Sequence, residues 1–161
     1  MNVTLCRDRE REEILREIER RFGIPPQAFE DKLLVIRGKK EVWVASEQCV
    51  EVELDQFLRT GIPLLRWTKQ GFRLTSSAVR AFGHLATKGV VEISLEDREL
   101  AERFSRGEDI PLRLLRFHKE NLPQKGQVIV RWRGHPLGSG LLQEDRVKNQ
   151  VPVKMRVRGR I

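Results

Sequence analysis

No apolar run in this sequence lasts more than a few residues, and beyond Gly107 each strand-like stretch is cut short by glycine, proline or asparagine. No run is long enough to cross a bilayer as a helix. The back of the chain has to make its core from short strands and tight turns. Residues 112–117, 127–133, 137–142 and 153–158 are the strand candidates. Short strands of this kind beside a short helix predict a small, partly closed barrel.

The front of the chain reads differently. Residues 7–21 carry Ile14, Leu15 and Ile18 at helical spacing, with Phe22 extending the stripe. The rest of that segment is charged, and Glu12–Arg16 and Glu17–Arg21 are set four apart as pairs on a solvated helix face. Gly23 stops the helix, and Pro25-Pro26 forbid its continuation. Residues 33–36 and 41–45 predict a β-hairpin turning at 37–40. A short helix is expected near 53–59, then a weaker strand pair at 62–66 and 72–74. Thr75 or Ser76 caps a helix over 75–87. Gly89 and the β-branched run 90–93 follow. Ser94 starts a second helix, near 95–105, with Asp97 in the capping-box position. The fold class expected is α+β. An N-terminal α+β module, residues 1–75, packs on a C-terminal, partly closed β-barrel, residues 76–161. No low-complexity linker separates the two.

Charge is distributed unevenly. The chain has 31 Lys+Arg and 23 Asp+Glu, a net charge of +8. Residues 1–104 hold 18 basic and 18 acidic side chains, whereas residues 105–161 hold 13 and 5, so the whole excess lies in the last third. A neutral front with a basic back suggests a polyanion-binding surface. The start of the chain meets charge at once and shows no apolar signal segment, so a cytoplasmic protein is expected.

Patterns for catalysis or metal are missing. Cys6 and Cys49 have neither zinc nor disulfide spacing. His84, His118 and His135 lack ligand spacing. There is no dinucleotide loop, P-loop lysine or nucleophile elbow. No catalytic residue, metal or cofactor is assigned. The glycine-rich stretch 134–140 has two open readings: turns and a strand bend within a barrel, or close backbone approach to a ligand.

The positive pattern is alternation. Arg131-Trp132-Arg133 on a strand puts both arginines on one face and the indole on the other. Lys154, Arg156 and Arg158 recur every second residue, and Arg160 extends the row, with Met155 and Val157 turned inward. Arginine forks suit phosphate oxygens. Aromatic residues are few in the back half, so recognition of folded RNA by shape and backbone fits better than base-by-base stacking.

The strand Val128-Ile129-Val130-Arg131-Trp132, then Gly134 to Gly140, then Val147-Lys148-Asn149-Gln150-Val151-Pro152, resembles the PUA domain. The resemblance is nearest to the PUA-like domain at the C-terminus of Sun/Fmu-type RNA 5-methylcytosine methyltransferases. The helix Ser76–Ala86 with Thr87-Lys88-Gly89-Val90 also matches, as does Phe104 to Ile110. Phe22-Gly23-Ile24-Pro25 and Val42-Trp43-Val44 are similar to the α+β module preceding such domains. The resemblance does not extend to the methyltransferase's catalytic domain, cofactor site or catalytic cysteines. What it implies is RNA binding in the groove between the first helix and the barrel edge. That places the site at Arg80, Lys88, Gly89, Arg131, Arg133, Gly138, Lys148, Lys154 and Arg156. Expected partners are transfer or ribosomal RNA and an RNA-modifying enzyme, with neither membrane nor DNA. The alternatives are an RNA-binding subunit acting with a separate catalytic chain, or a basic protein-interaction module.

Overall fold

The computed structural model describes residues 2–47, 61–115, 122–123 and 125–158. The expected helix near 53–59, Cys49, His118 and Arg160 lie outside the described residues.

Helix α1 (Asp8–Phe22) buries Ile14, Leu15, Ile18 and Phe22, the stripe that its sequence spacing predicts. Asp8 and Glu10 in its first turn and Arg20 and Arg21 in its last suit the helix dipole. Gly23 ends it at φ +67°, its N–H donating to the Glu19 carbonyl at 2.7 Å. The expected four-apart ion pairs are replaced by others: Arg20 reaches Glu17 at 2.7 Å and Arg9 reaches Glu13 at 3.5 Å.

Strands β1 (Val3–Leu5), β2 (Lys32–Arg37), β3 (Glu41–Ser46), β4 (Ile62–Thr68) and β5 (Gly71–Leu74) form an antiparallel sheet whose spatial order follows the sequence. Leu34, Val42, Val44 and Leu65 face α1 and fill the first core. Helix α2 (Ser76–Phe82), capped by the Thr75 hydroxyl on the Ala78 N–H at 3.1 Å, adds Ala78, Val79 and Phe82 to that same core.

Strands β6 (Val90–Ile93), β7 (Ile110–Pro111), β8 (Gly126–Trp132), β9 (His135–Leu142) and β10 (Arg146–Asn149) form the second sheet, in the order β6-β8-β9-β10-β7. Only β6 and β8 run parallel among these pairs. The sheet curls as a half-barrel around Val91, Ile93, Val128, Val130 and Val147, closed by Leu100, Ala101 and Phe104 of helix α3 (Arg98–Ser105). Asp97, not Ser94, caps α3, its carboxylate accepting from the Leu100 N–H at 3.1 Å. The architecture is α+β, as expected, with two cores.

The seam between the sheets is polar and specific. Gln127, 8% exposed, donates to the Leu74 carbonyl and accepts from the Leu74 N–H, both at 2.9 Å. Its side chain thus completes the edge strand β5 from β8. The Phe22 carbonyl accepts from the Thr87 and Lys88 N–H groups at 2.9 and 3.1 Å, holding the α2–β6 connection against the end of α1.

Two expected strands are absent in that form. Within 112–117, Leu112–Leu114 is a 3-10 turn, and only Ile110–Pro111 pairs with β10. Within 153–158, Val153–Met155 is also a 3-10 turn. Asn149 explains the second case. Its side chain accepts from the Val151 N–H at 2.8 Å and donates to the Phe104 carbonyl at 2.7 Å, which turns the chain off the sheet. Pro152 then opens the turn. Lys154, Arg156 and Arg158 therefore do not form a row on a strand.

Candidate nucleic-acid interface

Arg131 sits on β8 just past a bulge, opposite Glu92 of β6. Its Nε donates to the Glu92 carboxylate at 2.6 Å. One terminal nitrogen donates to the carbonyls of Gly83 and His84 at 3.2 Å and of Ala86 at 2.8 Å. These carbonyls end the α2 helical segment, where the backbone has no intrahelical donors and a cation is favoured. The side chain is only 15% exposed. Arg131 thus fastens α2 to the barrel.

Trp132 turns inward as expected, with its indole N–H donating to the Ser94 carbonyl at 3.2 Å. Arg133 does not share a strand face with Arg131. It lies in the β8–β9 turn at φ +54°, a left-handed conformation costing a non-glycine residue about 1–2 kcal/mol. Its guanidinium covers the Trp132 ring at 4.2 Å.

The two proposed glycines are packing positions. A Cβ on Gly89 would lie 2.9 Å from an Arg21 nitrogen, and one on Gly138 2.5 Å from a Val151 methyl. Arg156 is half-buried against Gly107, and its Nε donates to the Val151 carbonyl at 3.2 Å. Gly138 and Arg156 thus meet at Val151. Arg80 on α2, Lys88 before β6, Lys148 on β10 and Lys154 in the last turn are exposed. None of these four is ion-paired to a described carboxylate. Lys148 pairs with Leu141 and so projects from the same outer sheet face as Gln127, Ile129 and Arg131.

That face borders a cleft of about 1180 Å³ between the β4–β5 hairpin and the barrel. Arg21, Arg73 and Lys125 line it, with Phe72, Gln143 and Gln150. Arg21 donates to the Gln127 carbonyl and covers the Phe22 ring at 4.7 Å. Burial, then the neighbouring Arg20 charge, lowers its pKa from the usual guanidinium value. The sequence reading missed this residue by assigning it to Glu17. A signal was present: Arg21 follows Ile14 by seven and Ile18 by three, which places it beside the buried stripe.

An α+β module joined to a half-barrel, with a helix on the outer sheet face, is a PUA-like fold. A solved structure described as a conserved PUA domain protein from Thermoplasma acidophilum shares the fold, with a TM-score of 0.58 at 9% identity over 96% of this chain and 98% of that one. Residues 90–157 match the family model for the methyltransferase RsmF PUA domain. The chain is 35% identical over 145 residues to the ribosomal RNA small subunit methyltransferase F of Aeromonas hydrophila, covering 89% of this chain and 27% of that protein. Its namesake in Photobacterium profundum is 36% identical over 117 residues, covering 71% and 22%. The chain thus carries a PUA-like domain, and its residues 90–157 are similar to the PUA domain of RsmF methyltransferases. It spans about a quarter of the length of these relatives.

Proposed function

We propose that the chain binds structured ribosomal or transfer RNA through its PUA-like domain and is not itself catalytic. Small-subunit ribosomal RNA is the leading candidate, because the named relatives act on it. In this reading residues 1–75 are a supporting module and residues 76–161 the RNA-binding unit, working in the cytoplasm. The observation that carries it is the RsmF-type PUA match over 90–157, which spans most of the basic last third of the chain. The nine proposed site residues divide by role. Arg80, Lys88, Arg133, Lys148 and Lys154 contact phosphate. Gly89, Gly138, Arg131 and Arg156 hold the surface in shape. No metal or cofactor is needed. The length of the relatives supports a second reading, in which this region delivers RNA to a methyltransferase domain on the same or another chain.

The test is a titration of a labelled small-subunit RNA fragment at several salt concentrations. Log affinity should fall against log salt with a slope of roughly −0.7 to −0.9 per neutralised phosphate. A flat response, or no binding near physiological salt, would exclude the proposal.

A further inference from the structure

The cleft between the β4–β5 hairpin and the barrel borders the outer sheet face that carries Arg131 and Lys148, and its composition is unusual. Arg21, Arg73 and Lys125 all line it, and none is ion-paired to a described carboxylate. Glu144 is the carboxylate among its described lining residues. The hollow beside Arg103, Arg113 and Arg146 gives a contrast. There Asp109 and Asp145 also line the wall, and Arg146 pairs with Asp109 at 3.3 Å. Arg103 also pairs with Glu108 at 3.4 Å, whereas no cation of the cleft is paired with a described carboxylate.

Two further features point to an occupant. The Arg21 guanidinium is half-buried beside Gly89, the Phe22 ring and the Gln127 carbonyl, and no described carboxylate pairs with it. A buried cation is stabilised by an anion far better than by a single carbonyl. An RNA strand offers phosphate for the cations and base faces for an aromatic wall. An acidic side chain offers charge alone. Phe72, half-buried among the lining residues, adds an aromatic surface for a base.

We propose that this cleft is a second RNA-contact site, taking a single-stranded segment next to the structured element held by the PUA-like surface. This rests on the RNA-binding reading above and extends it. Arg73 and Lys125 contact phosphates at the mouth, and Arg21 meets one deeper in. A single strand fits where a duplex does not, because a flexible backbone can enter a concave wall and turn its bases.

The experiment compares a labelled RNA hairpin with the same hairpin carrying a single-stranded tail of roughly ten nucleotides. Each is titrated against the full chain, the Arg73→Ala/Lys125→Ala variant and the Arg80→Ala/Lys88→Ala variant. Arg73 and Lys125 are exposed, and a thermal melt confirms that the first variant folds. The tail should tighten binding by about tenfold. Arg73→Ala/Lys125→Ala should abolish that gain, leave the bare hairpin unchanged and reduce the salt slope by about 1.4, two single-strand contacts at about 0.7 each. Arg80→Ala/Lys88→Ala should weaken both RNAs alike. A tail that adds nothing, or a gain that survives Arg73→Ala/Lys125→Ala, overturns the cleft and leaves the RNA-binding reading standing. Failure of either RNA to bind overturns both. Binding of a polyglutamate peptide, lost in that variant, without any gain from the tail, would make the cleft a protein-docking site instead.

Discussion

The two sheets are held in register by different means. The first is a meander: each strand pairs with its neighbour in sequence, and the wall against α1 is apolar throughout, from Leu34 to Leu65. The second closes through distant partners, and its polar side chains take part. Gln127 completes β5, Arg131 ties off α2, and Asn149 binds carbonyls of Phe104 and Glu108. The difference teaches how to read a basic sequence. In the front module the charged residues are largely solvated. In the barrel some of them are structural, so the positive excess overstates what is free to bind a ligand.

The sharpest way to break this contrast is at the seam. Gln127→Leu keeps the bulk but removes both bonds to Leu74, leaving a buried N–H and carbonyl unpaired. Each such group costs about 1–3 kcal/mol, so a total loss near 3 kcal/mol is expected in chemical denaturation. A front-module substitution of similar size on the exposed face of α1, such as Glu12→Leu, should stay within about 0.5 kcal/mol. Equal effects would mean that the seam is not set by Gln127.

Next in size is Arg131. The sequence reading places it among the RNA-binding residues. The structure assigns it three helix-end carbonyls and Glu92. Arg131→Ala should therefore lower stability by about 2 kcal/mol. Lys88→Ala, an exposed cation, should leave it within about 0.5 kcal/mol. Paired thermal melts decide the matter. An Arg131→Ala protein as stable as the parent would return that residue to the ligand-binding set.

The outcome follows what sequence patterns encode. The α1 stripe was legible because burial repeats at helical spacing from Ile14 to Phe22, about two turns. The hairpin β2–β3 was legible because its strands are adjacent and its turn is marked by Gly38. The last strand candidate was not, since alternation at Lys154, Arg156 and Arg158 says nothing about Asn149 diverting the chain through bonds to Phe104 and Glu108, over forty positions away. The bracing role of Arg131 was hidden for the same reason: its carbonyl partners lie 45 to 48 positions earlier. The cleft was invisible because Arg21, Arg73 and Lys125 come from three separate stretches and meet only in the folded chain. β1, a three-residue strand starting at Val3, is too short to carry a period.

The smallest effect concerns the apolar closure of the front module. Cys6 packs against the first core, and its N–H donates to the Leu34 carbonyl at 2.9 Å. Burial, then Glu10, pushes its thiol from 9.0 up to about 11, against a lowering contribution from Arg11. The folded pKa is the higher one, so the thiol's contribution to stability is complete below pH 9 and is lost as pH rises through 11. At pH 8 the thiolate fraction should be about a hundredfold below that of an ordinary cysteine, a factor of ten for each pKa unit. Alkylation with iodoacetamide, followed by mass spectrometry of the peptide containing Cys6, measures this directly. Slow labelling at pH 8 that accelerates above pH 10, or in denaturant, is expected. Labelling at the rate of a free thiol would show that the front core opens near β1, and that its apolar wall is looser than the polar-fastened barrel.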